Sequence, residues 1–470
     1  MKMFLQGQWQ ERGTVADVIH PYDGAVLDTV PVGAPADISA ALNGLEQGAA
    51  VMRALPTHRR VEILRRTAQL MAEQQEDLAC LISREEGKVL AEGRIEAGRA
   101  METLDLSADA ARDLHGETVP LDATPGGVGK LGFTLRVPCG IVAAITPFNF
   151  PLNLVAHKIG PAIAGGNAVL LKPASDTPLS ALKLVELLLE AGLPEEAIAC
   201  VTGPGGELGE AICADARVRK ISFTGSAEVG EAITRAAGLK RVTMELGSNS
   251  PVIVLDDADV AKVARTLAVT GYANAGQVCI SSQRVIATPG AHADLLDALR
   301  TEVQQLVAGD PLAEGTQVGP LIRERDAARV ETWLGEAVTQ GAELLCGGSR
   351  EGAVVQPALL ANVAPEMKLS CEELFGPALG VTRAPDVESA IALANETRFG
   401  LSAAVFTQDI DRAMRFAREV DSGNLHINFG TAWRAEIMPY GGLKESGFGK
   451  EGPRYAVQEM TESKMVVIHG

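Results

Sequence analysis

Three side chains carry the chemistry this sequence could perform: Cys279, Glu245 and Asn149. Cys279 closes the run Gly276-Gln277-Val278-Cys279. A glycine there lets backbone approach a ligand closely, and a cysteine opening a structured segment can have its thiolate stabilised as a nucleophile. Glu245, in Met244-Glu245-Leu246-Gly247, follows a strand-like run, where a carboxylate can act as general base. Asn149 lies in Thr146-Pro147-Phe148-Asn149-Phe150-Pro151, after an apolar strand, where its amide can donate to an oxyanion. Each residue also has a plain structural reading. Cys279 is one of seven cysteines, Glu245 could be salt-bridged, and Asn149 could be a turn asparagine. Their company is what distinguishes them.

A second group suits a nucleotide. Lys172 ends the apolar run from Ala168 and precedes Pro173, a strand-end place from which an amine reaches a ribose or phosphate. Phe223-Thr224-Gly225-Ser226, with Gly230, reads as a strand entering a helix, whose first N–H groups can dock a pyrophosphate. The stretch is not the G-x-G-x-x-G fingerprint.

These residues need strand ends to hold them. From Gly140 the chain alternates strand and helix: Ile141–Ile145, Ala168–Leu171, Ile198–Val201 and Ile221–Phe223 are strands, and Pro178–Glu190 is a helix stopped by Gly192 and Pro194. That rhythm predicts a doubly wound parallel sheet, with ligands at the carboxyl ends of its strands. A second α/β run extends from Pro251–Leu255 to about Phe429. Upstream, Thr57–Lys88 and Ile95–Leu114 have helical periodicity. Thr118–Leu121 and Leu131–Val137 read as strands around a flexible turn, and Ser463–Ile468 as a lone terminal strand with a partner outside its own domain.

A chain of 470 residues exceeds one compact core and predicts two or three domains. The balance of 46% hydrophobic and 22% charged residues is that of a soluble globular protein. A net charge of -18 excludes nucleic acid and anionic membrane as expected partners. Residues 1–10 show no signal-peptide core, and no apolar stretch is long enough to span a bilayer. Seven widely spaced cysteines without a CxxC pair point to a reducing, cytoplasmic setting and to no metal site.

Taken together, the segments resemble the aldehyde dehydrogenase superfamily over essentially the whole chain. The resemblance rests on Pro147–Pro151, Lys172-Pro173-Ala174-Ser175, Phe223–Ser226, Glu245-Leu246-Gly247, Gly276–Cys279, Glu372–Pro377 and Pro439–Lys444, which occur in the family's order. It implies an α/β fold of two doubly wound domains plus a small β oligomerisation element. The nucleotide-binding domain would take residues 1–115 and 137–247, the catalytic domain 248–438, and the bridging element 116–136 and 439–470. It implies NAD or NADP as cofactor, held by Thr146, Pro147, Phe148, Lys172, Ser175, Gly225, Ser226, Leu246, Glu373 and Phe375. Cys279 would be the nucleophile, Asn149 the oxyanion donor and Glu245 the water-activating base, on a path through a thiohemiacetal and a thioester. CoA-acylating relatives generally lack this glutamate, so hydrolysis is expected over transfer to CoA. A homodimer or homotetramer is expected. A catalytically silent scaffold is the reading disfavoured by the three residues together.

Two positions bear on specificity. Relatives strict for NAD often carry Glu where this chain has Ser175; a serine does not repel a 2′-phosphate, so NADP is allowed, or both cofactors work. Arg99, Asn153, His157 and Arg434 fall where relatives line the substrate tunnel with apolar or aromatic groups. Two guanidiniums suit a sulfonate, phosphonate or carboxylate on a short aldehyde. The alternatives are that the arginines pair with acids such as Glu102 and Glu436, or that the substrate is a neutral hydroxyaldehyde. The Trp433–Gly452 stretch is most similar to the branch handling lactaldehyde, phosphonoacetaldehyde and sulfonated aldehydes. Ala273, Asn274 and Val278 stand where some anion-specific relatives place arginine.

Overall fold

Alternation along the apolar runs builds the molecule around two sheets. The computed structural model describes residues 1–470. In Ile141–Ile145, successive side chains point to opposite faces. Val142 and Ala144 enter one core, with helices Thr57–Glu73, Leu90–Arg112, Asn153–Ala164 and Leu179–Glu190. Ile141, Ala143 and Ile145 enter another, with helices Pro35–Ala54, Gly205–Ala214 and Ala227–Ala237. Both faces are covered, which is why these strands are apolar throughout.

The first sheet has eight strands. Its parallel centre runs Ile198–Cys200, Ala168–Lys172, Ile141–Ile145, Val218–Thr224, Arg241–Glu245. The N-terminal hairpin Met3–Leu5/Gln8–Gln10 adds one antiparallel edge, and Gly447–Phe448 the other. Connections leave Ile141–Ile145 in opposite directions, so the crevice opens between it and Val218–Thr224, at the ends carrying Thr146–Asn149 and Thr224–Ser226. The second sheet has seven strands, six of them parallel, with Ala378–Arg383, Arg284–Ala287 and Pro251–Val254 at its centre. A third sheet pairs Thr461–His469 antiparallel with Lys130–Pro138 over nine residues, and Thr118–Val119 with the latter's other edge. The terminal strand therefore finds its partner more than three hundred positions upstream.

The structure amends several expected elements. The stretch from Thr57 is two helices, Thr57–Glu73 and Gln75–Glu86, broken where Gln74 leaves helical angles at φ -121 and ψ 22 and ended by left-handed Gly87. The next helix begins at Leu90, five residues earlier than its apolar pattern suggested. The turn between Thr118–Val119 and Lys130–Pro138 contains two short 3-10 turns, Leu121–Ala123 and Pro125–Gly127. The N-terminal hairpins and the twenty-residue helix Pro35–Ala54 were not read from the sequence. No helix is long and apolar enough to cross a membrane, and all seven cysteines are free.

Candidate active site

Cys279 is held by a turn with unusual backbone. Asn274 and Ala275 both adopt left-handed angles, at φ 50 and 54. Such residues cost of order 1–3 kcal/mol each and persist only when their surroundings fix them. Here the Asn274 N–H donates to both oxygens of Glu92, at 3.0 and 3.1 Å. Its side-chain amide donates to Glu86 Oε1 at 2.9 Å. Gly276 follows with φ 72, so close to the next segment that a Cβ would lie 2.1 Å from the Gly376 carbonyl. Gln277 closes the turn, accepting from Ile322 N at 2.9 Å and donating to Asn274 O at 3.2 Å. The Cys279 sulfur sits 3.2 Å from the Tyr440 hydroxyl. Burial pushes its thiol up to about 12, against the opposing hydrogen bond from Tyr440; Glu373 and Glu245 add to the rise.

Asn149 lies beside this turn. Its amide donates to the Gln277 carbonyl at 2.8 Å, which leaves a second N–H. Its own carbonyl accepts from Lys88 Nζ at 2.7 Å. Lys88 and Glu96 form an ion pair at 2.6 Å with both side chains 1% exposed. Glu96 Oε1 in turn accepts from Leu152 N and Asn153 N at the start of helix Asn153–Ala164, where the helix dipole favours a carboxylate. A buried chain of contacts thus fixes the oxyanion donor from behind.

Glu245 ends its strand inside the same cavity as Cys279. Both of its carboxylate oxygens are buried without a hydrogen-bond partner. Burial raises its carboxyl well above the usual range, and the charge of Glu451 adds to this; Arg434, Lys158 and Lys450 oppose it. The carboxyl of Glu451, which lines the same cavity, is shifted the other way. Lys158 at 2.9 Å and Arg434 at 3.0 Å overcome the effect of burial and hold its carboxyl well below the usual range.

The nucleotide residues cluster at the crevice. Thr146, with a buried and unpartnered hydroxyl, and Pro147 follow the strand end; Phe148 meets Phe375 edge-on at 5.8 Å. Phe375 is itself left-handed, at φ 50. Lys172 is buried and lowered to about 8 by desolvation, with Asp176 opposing. Its amine lies 3.7 Å from where a Cβ on Gly205 would stand. Ser175 Oγ donates to Gly203 O at 2.9 Å. Ser226, after Gly225, caps helix Ala227–Ala237, accepting from Val229 N. Gly230 packs on Leu246 so closely that a Cβ would reach within 2.4 Å. Glu373 accepts from Ser248 N at 3.0 Å, and burial raises it to about 7. A buried orphan hydroxyl, an unpaired lysine and a capped helix N-terminus fit a dinucleotide.

Arg99, Asn153 and Arg434 line the cavity; His157 lies buried behind it. Glu436 is the common partner of Arg99, His157 and Arg434, bonding to Arg99 Nε and His157 Nε2, with Arg434 Nε 3.8 Å away. Against the effect of burial, His157, Arg99 and Arg434 lower Glu436 to about 2. His157 is lowered by burial and by Arg434, which overcome Glu436, so it is a neutral ring. Arg434 Nη2 lies 3.1 Å from the His157 ring nitrogens. Asn153 accepts from Thr103 at 3.0 Å. Glu102 forms no ion pair; Glu436 and Glu451 take that place. Arg99 keeps both Nη groups free of protein partners.

Sequence reasoning missed Tyr440 as a contact of the sulfur, although it stands in the Pro439–Lys444 motif. It also missed Lys88, Glu96 and Glu451. Lys158 left one signal: a lysine within a twelve-residue helix whose other members are mostly apolar, and all of which are buried.

A sequence model of the aldehyde dehydrogenase family matches residues 9–466. The chain belongs to that family. It is 42% identical to 3-sulfolactaldehyde dehydrogenase of Priestia aryabhattai, covering 99% of this chain and 98% of the relative. It is 39% identical to lactaldehyde dehydrogenase of Methanococcus vannielii, covering 99% and 100%. Among solved structures, glyceraldehyde-3-phosphate dehydrogenase from Methanocaldococcus jannaschii in complex with NADP superposes with a TM-score of 0.94 at 37% identity, covering 98% and 100%. The enzyme is an NAD(P)-dependent aldehyde dehydrogenase with the α/β fold of this family.

Proposed function

We propose that the enzyme oxidises a short aldehyde bearing an anionic group, by hydrolysis and not by transfer to CoA. One observation carries the substrate class. Along the cavity's polar wall the three cations Arg99, Arg434 and Lys158 share two carboxylates, Glu436 and Glu451, and Arg99 keeps both Nη groups free of protein partners. Those open, forked donors suit an anionic group on the substrate, and Arg99 is the contact for it. Arg434 is engaged by Glu451 and His157 and sets the wall's charge. The cavity, about 260 Å³, suits a small substrate. Two of the three relatives above are named for aldehydes carrying a sulfonate or a phosphate.

In this reading Cys279 attacks the aldehyde carbon as a thiolate, forming a carbon–sulfur bond. The resulting oxyanion lies between the second Asn149 N–H and the Cys279 backbone N–H. A single such donor is worth about 2.7–4 kcal/mol in comparable sites. A bound nicotinamide would supply the hydride acceptor through which the adduct becomes a thioester. Glu373 and Phe375 would hold that end of the cofactor, and Lys172 and Ser226 would serve its ribose and pyrophosphate. Ser175 places no carboxylate at the adenine ribose, so a 2′-phosphate is accepted. Glu245 then takes a proton from water, whose oxygen attacks the thioester and releases acid and thiol. The exposed Met465, Val467 and Ile468 on the terminal strand, whose outer edge is free, serve as a contact between subunits, in a dimer or tetramer.

The test is a kcat/KM panel of three-carbon sulfo-, phosphono- and carboxy-aldehydes against neutral lactaldehyde, with each cofactor, with and without CoA. A preference for anionic aldehydes and free acid as product are expected. Preference for lactaldehyde would establish the neutral reading, which the pairing of Arg99 and Arg434 with glutamates supports. Acyl-CoA as product would refute hydrolysis.

A further inference from the structure

Tyr440 is the one side chain hydrogen-bonded to the nucleophile, at 3.2 Å from Cys279 Sγ. The phenol is 4% exposed, and the sulfur is its sole recorded partner. Buried hydroxyls rarely go without an acceptor, so the proton of this one is directed at the sulfur once the thiol has lost its own. The ring cannot swing away. Its backbone is tied to Glu451, N to O at 3.2 Å and O to N at 2.7 Å. Its flanks pack with Val278, Ile280 and Leu401. The Arg434 guanidinium lies over its face, Cζ 4.0 Å from the centroid, within the range where a cation and a ring attract. Arg434 is itself anchored by Glu451.

We propose that Tyr440 is a catalytic residue whose phenol O–H donates to the Cys279 thiolate, with Arg434, stacked on the ring, holding that donor in line. The inference rests on Cys279 being the nucleophile. The phenol keeps its proton throughout; what changes is the acceptor. A neutral thiol is a weak acceptor and a thiolate a strong one, so the contact favours the attacking form. It favours the same thiolate when the thioester collapses and sulfur departs. Burial works against the thiolate in this cavity, and the phenol offsets part of that cost. Arg434 also explains the direction of the effect: a cation over the ring draws electron density from it and strengthens the O–H as a donor.

The experiment follows iodoacetamide alkylation of Cys279 against pH in the cofactor-free full-length enzyme, read by mass spectrometry of the peptide containing it. A hydrogen bond to a charged group corresponds to about a tenfold change or more in the ionisation constant. Tyr440→Phe, which keeps the ring and the stacking, is therefore expected to slow alkylation by about tenfold or more at each pH below the midpoint. Replacing Tyr440 with 3-fluorotyrosine, a stronger donor of the same shape, is expected to speed it. A purely structural tyrosine would not give opposite changes. Profiles that superimpose on wild type in both variants would overturn the proposal, and if Tyr440→Phe does not fold, the fluorinated protein decides alone. Turnover retained by Cys279→Ala would instead remove the nucleophile reading, and leaves the alkylation result standing as a separate fact.

Discussion

Glu245 and Glu451 line one cavity and are both buried, yet their carboxyls are shifted in opposite directions. Burial pushes each toward the neutral acid. Glu451 resists because Lys158 and Arg434 touch it; Glu245 yields because its oxygens touch nothing. Arg99 and Arg434 repeat the contrast with cations. Arg434 is tied at Nη1 by Glu451 and at Nη2 by His157, with its Nε buried and without a hydrogen bond, whereas Arg99 is tied at Nε alone and keeps both Nη groups open to the cavity. In each pair the group with fewer protein partners is the one free to meet a reactant. Incomplete solvation by the protein is thus a local marker of function here, and pairing a marker of support.

The sharpest break of this contrast is Glu245→Gln. Gln keeps the shape and cannot take a proton from water. General-base removal typically costs 10²–10⁴-fold, so steady-state turnover is expected to fall within about that range. A burst of reduced cofactor close to one per active site should remain, because acylation precedes the lost step. Normal steady-state rates would take Glu245 out of the mechanism.

Glu451→Gln probes the other member. In wild type the raised Glu245 carboxyl is protonated below its shifted value and becomes a base only above it. The rate should therefore fall as pH drops, along a limb lying above the ordinary carboxylate range. Removing the charge of Glu451 removes one cause of that rise and frees Lys158 and Arg434 to act on Glu245. The acid limb is expected to move to lower pH. Breaking one side of a buried ion pair also costs about 3–5 kcal/mol, so the melting temperature should drop. An unmoved limb in a folded variant would show that burial alone sets Glu245.

These pairings also explain what was legible in the sequence. The strand ends were legible because short continuous apolar runs announce them, and Lys172, Glu245, Asn149 and Ser226 sit at or just after such ends. The nucleophile was legible through those companions. The polar wall was only half legible. Arg99 and Arg434 stood out as charges at tunnel positions, but their partners come from segments 337 and 17 residues away, and no local pattern tells Glu436 or Glu451 from a solvated acid. The helix break at Gln74 was likewise hidden, because apolar periodicity continues across it. Lys88 and Glu96 look like surface residues of an acidic helical stretch; only the packing of that stretch onto helix Asn153–Ala164 buries them as a pair.

Arg99→Leu gives the smallest expected effect and sharpens the cation contrast. Leucine keeps apolar contact with Phe150, over which the guanidinium now lies at 5.8 Å, and removes the open donors. A hydrogen bond to a charged group is worth about 1.5–3 kcal/mol, so kcat/KM for sulfo-, phosphono- or carboxy-aldehydes is expected to fall by roughly 10- to 100-fold. The loss should appear mostly in KM, because the anion contact is made equally in ground and transition states. Neutral lactaldehyde should be little affected, or improved, since it never used the charge. Arg99 also helps neutralise Glu436, and its loss leaves that carboxylate to His157 and Arg434. If this indirect route dominated, anionic and neutral aldehydes would decline together. That outcome would assign Arg99 to the supporting class with Arg434, and would leave the wall without a substrate contact.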